Sequence, residues 1–123
     1  MFRERGALAR RNRLAHPDEF RMVFRSPVRS EDGKLLFIAR RNGLGYPRLG
    51  LAIPRKRIKR AVTRNRLKRL IRESFRKHRG VLGGVDIVVT VTADLDKLDN
   101  KSINESINRH WNKLTKCDGQ QSR

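Results

Sequence analysis

Between Arg55 and Arg79 the chain carries thirteen basic residues in twenty-five positions and a single acid, Glu73. The apolar residues of that stretch recur at helical spacing. On a wheel of 100° per residue with Arg64 at 0°, Leu70, Ser74, Leu67, Ile71 and Phe75 fall between about 240° and 20°. Lys68, Arg72, Asn65, Arg76 and Arg69 fall between about 40° and 140°. The pattern predicts a long helix over Arg57–Arg79, closed by Gly80. Such a helix docks by one side and offers a comb of cations on another. The rest of the chain must supply the surface that receives the apolar stripe.

The comb has a chemistry. Arg outnumbers Lys in it, and a guanidinium grips phosphate oxygens in pairs and stacks on bases. Asn65, in its midst, adds donors and an acceptor suited to 2′-hydroxyls or base edges, or is a plain surface residue. A merely solubilising face mixes signs, and here Glu73 stands alone at the edge of the comb. Charge elsewhere is lopsided in the same sense. Of 31 Lys and Arg, 25 precede residue 81, against 6 of the 12 acids, so the net charge of +19 belongs to the first two thirds. An excess this local marks one binding region for a polyanion.

A length of 123 residues suits one small domain. No apolar run approaches the roughly 20 residues of a membrane span. The basic stretch Met1–Arg13 is followed by no apolar segment and does not read as a secretory signal. The lone cysteine, Cys117, excludes an internal disulfide and a cysteine-based zinc site, and the cytoplasm is the expected compartment.

Residues 1–15 read as a basic extension, 16–116 as the folded domain and 117–123 as a flexible tail. Pro17, Asp18 and Glu19 open a helix whose apolar stripe is Phe20, Val23 and Phe24. Residues 26–33 read as a loop, with room in the order for a short extra strand. Lys34–Arg40 and Arg48–Ile53 read as two strands that pair as a hairpin across the turn or short loop Arg41–Pro47. Asp86–Thr92, β-branched and nearly continuous, reads as the central strand. Ser102 and Glu105 have capping-box spacing ahead of a last helix with Ile103, Ile107, Trp111 and Leu114 on one face. The fold class is α+β, a mixed sheet of about four strands packed with helices in the order α-β-β-β-α-β-α.

The run Thr63-Arg64-Asn65-Arg66-Leu67-Lys68-Arg69-Leu70-Ile71-Arg72-Glu73-Ser74-Phe75-Arg76 resembles the RNR motif of the bacterial ribonuclease P protein component. Its surroundings resemble that family too. Arg48–Ile53 is similar to the strand before the motif, and the basic pair Arg55–Lys56 follows it. Asp18–Phe24 is similar to the first helix and Asp86–Thr92 to the later strand, so the likeness spans residues 12–115. Pro54 departs from the small residue often found there, and Arg55 stands where Lys is common.

The resemblance implies the protein subunit of a ribonucleoprotein endonuclease. The RNA subunit would hold the catalytic Mg²⁺ ions and remove the 5′ leader of precursor tRNA, with no catalytic or metal-ligating residue in the protein. It implies a left-handed β-α-β crossover around the long helix. It assigns Arg64, Asn65, Arg66, Lys68, Arg69 and Arg72 to RNA contact. Arg55, Lys56, Arg60 and Arg76 extend that surface. Phe20 and Phe24 would line a groove for the single-stranded leader, where bases stack on aromatic faces, or would pack as core. Phe37 is the first strand's candidate for the same groove, although Phe37 and Ile38 point to opposite sides. The partners implied are ribonuclease P RNA and precursor tRNA, one protein to one RNA, with no DNA and no membrane.

No protein-based active site is legible. His16, His78 and His110 are scattered, with no Cys, Asp or Glu partner at a ligand or triad spacing. Asp94, Asp96 and Asp99 read as capping and solvated residues. Gly80, Gly83 and Gly84 lack the spacing of a phosphate loop. The alternative is a ribosomal or general structured-RNA-binding protein without an enzymatic role. A DNA-binding helix would want more base-reading side chains and dimerisation heptads. A membrane-surface helix would want a free apolar face, and here that face is committed to the core.

Overall fold

In the computed structural model, which describes residues 10–121 except Lys97 and side chains in the last helix as far as Thr115, three helices surround one four-stranded sheet. The order is α1 (Pro17–Phe24), β1 (Val28–Glu31), β2 (Leu35–Arg41), β3 (Arg48–Ala52), α2 (Ala61–Leu82), β4 (Val85–Val91) and α3 (Asn100–Gln121). The expected α+β order is therefore present. The possible extra strand is β1, inside the segment expected as a loop. Its sequence, Val-Arg-Ser-Glu, has no apolar run, because the side chain it buries is Ser30.

The sheet runs β1-β2-β4-β3. β2 and β3 do not form the expected hairpin. β4 lies between them, antiparallel to β2 and parallel to β3. The reason lies in β4 itself. Six of its seven residues are buried, and a strand covered on both faces belongs inside the sheet, with neighbours on both edges. β2 instead makes its hairpin with β1, across a turn where Gly33 takes φ +85° and Asp32 Oδ1 accepts the Lys34 and Leu35 N–H groups.

Register sorts the side chains onto two faces. Phe37, Ala39, Leu49, Ile87 and Val89 point to the side covered by α2 and α3. The apolar stripe read on α2 is the stripe it buries, Leu67, Leu70, Ile71, Ser74 and Phe75. Each large apolar side chain so buried stabilises by about 1.5–3 kcal/mol. α3 buries Ile103, Ile107, Trp111 and Leu114, and Trp111 Nε1 donates to Ser74 Oγ at 2.7 Å, joining the two helices. The other face carries Ile38 and Val88 under α1, with Leu14 and Val23. Gly50 admits α1 closely: a Cβ there would lie 2.6 Å from Phe20 Cζ.

Several boundaries shift. α2 begins at Ala61, because residues 55–57 form a turn in which Pro54 O accepts the Arg57 and Ile58 N–H groups and Ile58 is buried. It ends at Gly83, whose φ is +70°, and Gly80 lies within it. α3 begins at Asn100, and Asp99 Oδ1 accepts the Ser102 N–H at 2.9 Å, so the cap is Asp99 and not Ser102. Its helix continues past residue 117, where the tail was expected.

The expected extension is docked over its described part. Arg10–Asn12 is a 3-10 turn, Arg13 bridges Leu49 of β3, and Asn12 and Leu14 are buried. Residues 1–9 lie outside the described part.

Candidate nucleic-acid interface

The long helix carries its cations where the wheel places them. Asn65 and Arg69 are exposed, and Arg64, Lys68, Arg72 and Arg76 are half-buried. None of these five cations is ion-paired among the described residues. Asp18, Glu19, Asp32 and Asp86 are engaged elsewhere. Burial, and then the charge of Arg13, holds the Arg72 guanidinium below its ordinary value. Arg79 Nη1 donates to Asn12 Oδ1 at 3.4 Å, and the Arg11 guanidinium lies 4.8 Å from the Tyr46 ring centroid. The docked segment at residues 10–13 thus brings further cations to the border of α2. Sequence reading missed them, and the one available signal was the triplet Arg10, Arg11 and Arg13.

Two members of the expected set do more than face outward. Arg64 Nη1 donates to the carbonyls of Ile58 and Lys59, both at 3.0 Å, and so ties the basic turn to the helix. Arg66 Nη2 donates to Leu98 O at 3.1 Å. Its wheel position near 200° turns it from the comb toward the segment before α3. Arg55, Lys56 and Arg60 are exposed between β3 and α2.

A second feature lies on the α1 side of the sheet. Leu36, Thr90 and Ala52 stand abreast on β2, β4 and β3, and all three are half-buried. They form a floor with an apolar character beside α1. Phe20 is half-buried and packs onto the core there, whereas Phe24 is 37% exposed. Phe20 is thus mainly packed, and Phe24 is partly covered with about a third of its surface accessible. β3 leads from Ala52 through Pro54 directly into Arg55 and Lys56, so the basic turn sits at the end of this floor.

Phe37 is not part of that surface. It is fully buried on the opposite face, stacked on His110 at 4.5 Å between centroids and edge-on to Trp111 at 5.0 Å. Alternation along β2 gives the α1 side to Leu36 and Ile38, so the strand contributes no aromatic to the floor. Ile38 is itself fully covered.

α1 is fixed over this face by one arginine. Arg48 donates Nε to Asp86 Oδ1 and Nη2 to Asp86 Oδ2, each at 2.8 Å, and Nη1 to Glu19 Oε2 at 2.9 Å. Hydrogen bonding to Asp86 raises the Arg48 pKa above its usual range. Asn42 Nδ2 also donates to Asp86 Oδ1 at 2.9 Å.

The fold also gives His110 an acidic neighbour that sequence spacing did not show. His110 Nδ1 pairs with Ser30 Oγ at 2.6 Å, and Nε2 lies 3.4 Å from Asp32 Oδ1. Ser30 and Asp32 lie some eighty residues before His110, beyond any local spacing rule. Burial would raise the Asp32 pKa, but the Ser106 hydroxyl, the Leu35 and Lys34 N–H groups and the nearby His110 outweigh it and hold it low. Burial pushes the His110 imidazole below its ordinary value. Ser30 is 3% exposed and His110 1%, so no substrate reaches them and the cluster serves packing of α3 against β1. His78 gives its Nδ1 to Ser74 O at 2.8 Å and stacks near Trp111, and is structural too. Among the described residues no three His, Cys, Asp or Glu side chains converge as a metal site, and no helix is long and apolar enough to cross a membrane.

Residues 8–115 match the family model described as Ribonuclease P. The chain is 46% identical over 114 residues to the ribonuclease P protein component of Methylococcus capsulatus, covering 92% of this chain and 89% of that one. It is 47% identical over 106 residues to that of Pseudomonas aeruginosa, covering 85% and 78%. The RNase P protein of Thermotoga maritima superposes with a TM-score of 0.68 at 32% identity, over 79% of this chain and 92% of that one. The RNase P protein of Staphylococcus aureus gives 0.75 at 22% identity over 82% and 93%, a likeness of fold.

Proposed function

The chain belongs to the ribonuclease P protein family, and from that premise we propose that it binds ribonuclease P RNA through the α2 comb and the 5′ leader of precursor tRNA along the α1 floor. The observation that carries this reading is the comb of Arg64, Lys68, Arg69, Arg72 and Arg76, which has no carboxylate partner among the described residues and encloses Asn65. Unneutralised cations packed this closely repel one another, and a polyanion removes that cost. Phosphates release condensed counterions on binding such a surface.

The leader is single-stranded, so its bases are free to stack. Phe24 offers an accessible face, and Leu36, Ala52 and Thr90 offer apolar area beside it. Arg55 and Lys56 would take backbone phosphates at the end of the floor. Arg64 orders that turn as well as adding charge. The protein's part is to bind and orient, and the bond would be cut in the RNA subunit.

Mg²⁺ would be held by RNA and substrate. Asp32 and Asp86 are already saturated by protein donors, and Asp99 caps α3. The complex is one protein to one RNA and works in the cytoplasm.

The test is cleavage of precursor tRNA by ribonuclease P RNA at low Mg²⁺, with and without the protein. Leader removal should be stimulated by the protein and absent with protein alone. Tight RNA binding without stimulation would move the chain to a ribosomal or general RNA-binding role.

A further inference from the structure

α3 presents Asn104, Asn108 and Asn112 one turn apart along an open groove of about 610 Å³, faced across the gap by Glu73, Lys77 and His78 of α2. Asparagine is a poor helix former, because its amide competes for the backbone. Three on one stripe weaken the helix unless the amides are used. The protein does not use them: none of the three side chains makes a hydrogen bond among the described residues. Nor do they belong to the core, since Asn108 and Asn112 are exposed and Asn104 is half-buried. His78 adds to the set. Its Nδ1 is engaged by a carbonyl, which accepts, so the neutral ring keeps Nε2 as an acceptor.

The groove is nearly neutral, with Lys77 against Glu73, and its capacity is for hydrogen bonding. It also adjoins the comb. Glu73 and Lys77 lie roughly 110° round the same helix from the centre of the cationic face. A ligand lying on the comb passes over α2 into the groove.

We propose that the α2–α3 groove is a second RNA-contact surface, in which the amides of Asn104, Asn108 and Asn112 hold ribose 2′-hydroxyls and base edges. This rests on the RNA-binding reading of the comb and adds a separate site to it. RNA is the occupant because its 2′-hydroxyl both donates and accepts, as an amide does, and because the adjoining face of α2 is already suited to phosphate. Arg66 and Lys101, on the flanks of the same two helices, keep the approach electropositive.

The triple variant N104A/N108A/N112A tests it. Alanine is the best helix former, so the variant should melt at or above the temperature of the parent. Its affinity for ribonuclease P RNA is measured across a salt series beside the parent. The expected result is about tenfold weaker binding at every salt concentration with an unchanged log–log slope, because neutral groups release no counterions. Affinity within twofold of the parent throughout would overturn the groove as an RNA site and leave it to a protein partner. A loss with a shallower slope would assign the effect to the comb and overturn it equally. A parent that does not bind the RNA overturns both readings, whereas a parent that binds and a variant that matches it overturns this one alone.

Discussion

Arg48 and Asp86 are joined by two parallel hydrogen bonds of 2.8 Å, made side by side between β3 and β4, and the third arm of the same guanidinium reaches Glu19 of α1. One planar group thus holds two strands and the helix that carries Phe20 and Phe24. Asp86 is almost wholly covered, with 4% of its side chain accessible. Truncating the arginine leaves a buried carboxylate without its charge partner. Arg48→Met should destabilise the protein by about 3 kcal/mol in urea unfolding. Arg48→Lys should cost less, since an ammonium keeps the charge and loses the fork.

The aromatics of α1 should separate by phenotype. Phe24→Ala should cost only about 1 kcal/mol of stability, as 37% of the residue is open to solvent. It should weaken binding of leader-bearing precursor tRNA roughly tenfold, within the range of a single base–aromatic stack. Binding of mature tRNA should be unchanged. Phe20→Ala should instead lower the melting temperature, by removing the ring that packs on Gly50. Equal losses with both tRNAs for Phe24→Ala would remove it from the leader site.

Gly50 is required by close approach. Its added Cβ would meet Phe20 Cζ at 2.6 Å, Phe20 Cε2 at 2.8 Å and Leu14 Cβ at 3.0 Å. Gly50→Ala should therefore destabilise by about 1–3 kcal/mol. The double variant with Phe20→Leu should recover part of that, measured by the same unfolding curves.

The comb should show itself in salt dependence. Lys68→Glu with Arg69→Glu should reduce the slope of log affinity against log salt by about one for each phosphate left unneutralised, with little change in melting temperature. These two are cleaner targets than Arg64, whose guanidinium also holds Ile58 and Lys59. Reversal at Arg64 should loosen the basic turn as well as remove charge.

Acid should destabilise the fold through His110. Its folded pKa is depressed by burial, against the pull of Asp32 and with Lys113 and Arg109 acting in the same direction as burial. Between the folded value and the ordinary value near 6.5 the unfolded chain binds the extra proton, so stability falls as pH drops through that window. The slope for one proton cannot exceed about 1.4 kcal/mol per pH unit. Asp32, also depressed, adds a further loss only at lower pH, below its ordinary range. His110→Gln should flatten melting temperature against pH on the acid side of about 6.5, and an unflattened profile would clear His110 of the effect.

The sequence showed best what repeats locally. The stripe of α2, the first turn of α1 at Pro17, the apolar face of α3 and the central place of β4 follow from spacing and residue type, and the RNR run pointed to the family. Pairing was hidden, because nothing local tells β2 and β3 that a strand forty residues on will lie between them. β1 was hidden because its inward residue is a serine, satisfied only by His110 from the far end of the chain. Phe37 was assigned to the groove although period-2 alternation leaves two faces open. Deciding between them needs to know which face α3 covers. Asp99 lay one residue before its helix, where a side-chain cap and a solvated loop acid look alike.

The position of β4 has a consequence for synthesis. The ribosome finishes α2 before it begins the strand that joins β2 to β3. By then 25 of the chain's 31 cations have been made, yet the sheet has no middle. At about 5–20 residues per second, roughly 0.5–2 s pass between the end of α2 and the addition of residue 91. For that interval the nascent chain is a polycation without a closed core, in the company of ribosomal RNA. Folding is then a release as well as a collapse. Inserting β4 sets the comb on a rigid base and gives the finished protein the geometry to prefer one RNA over the one beside which it was born.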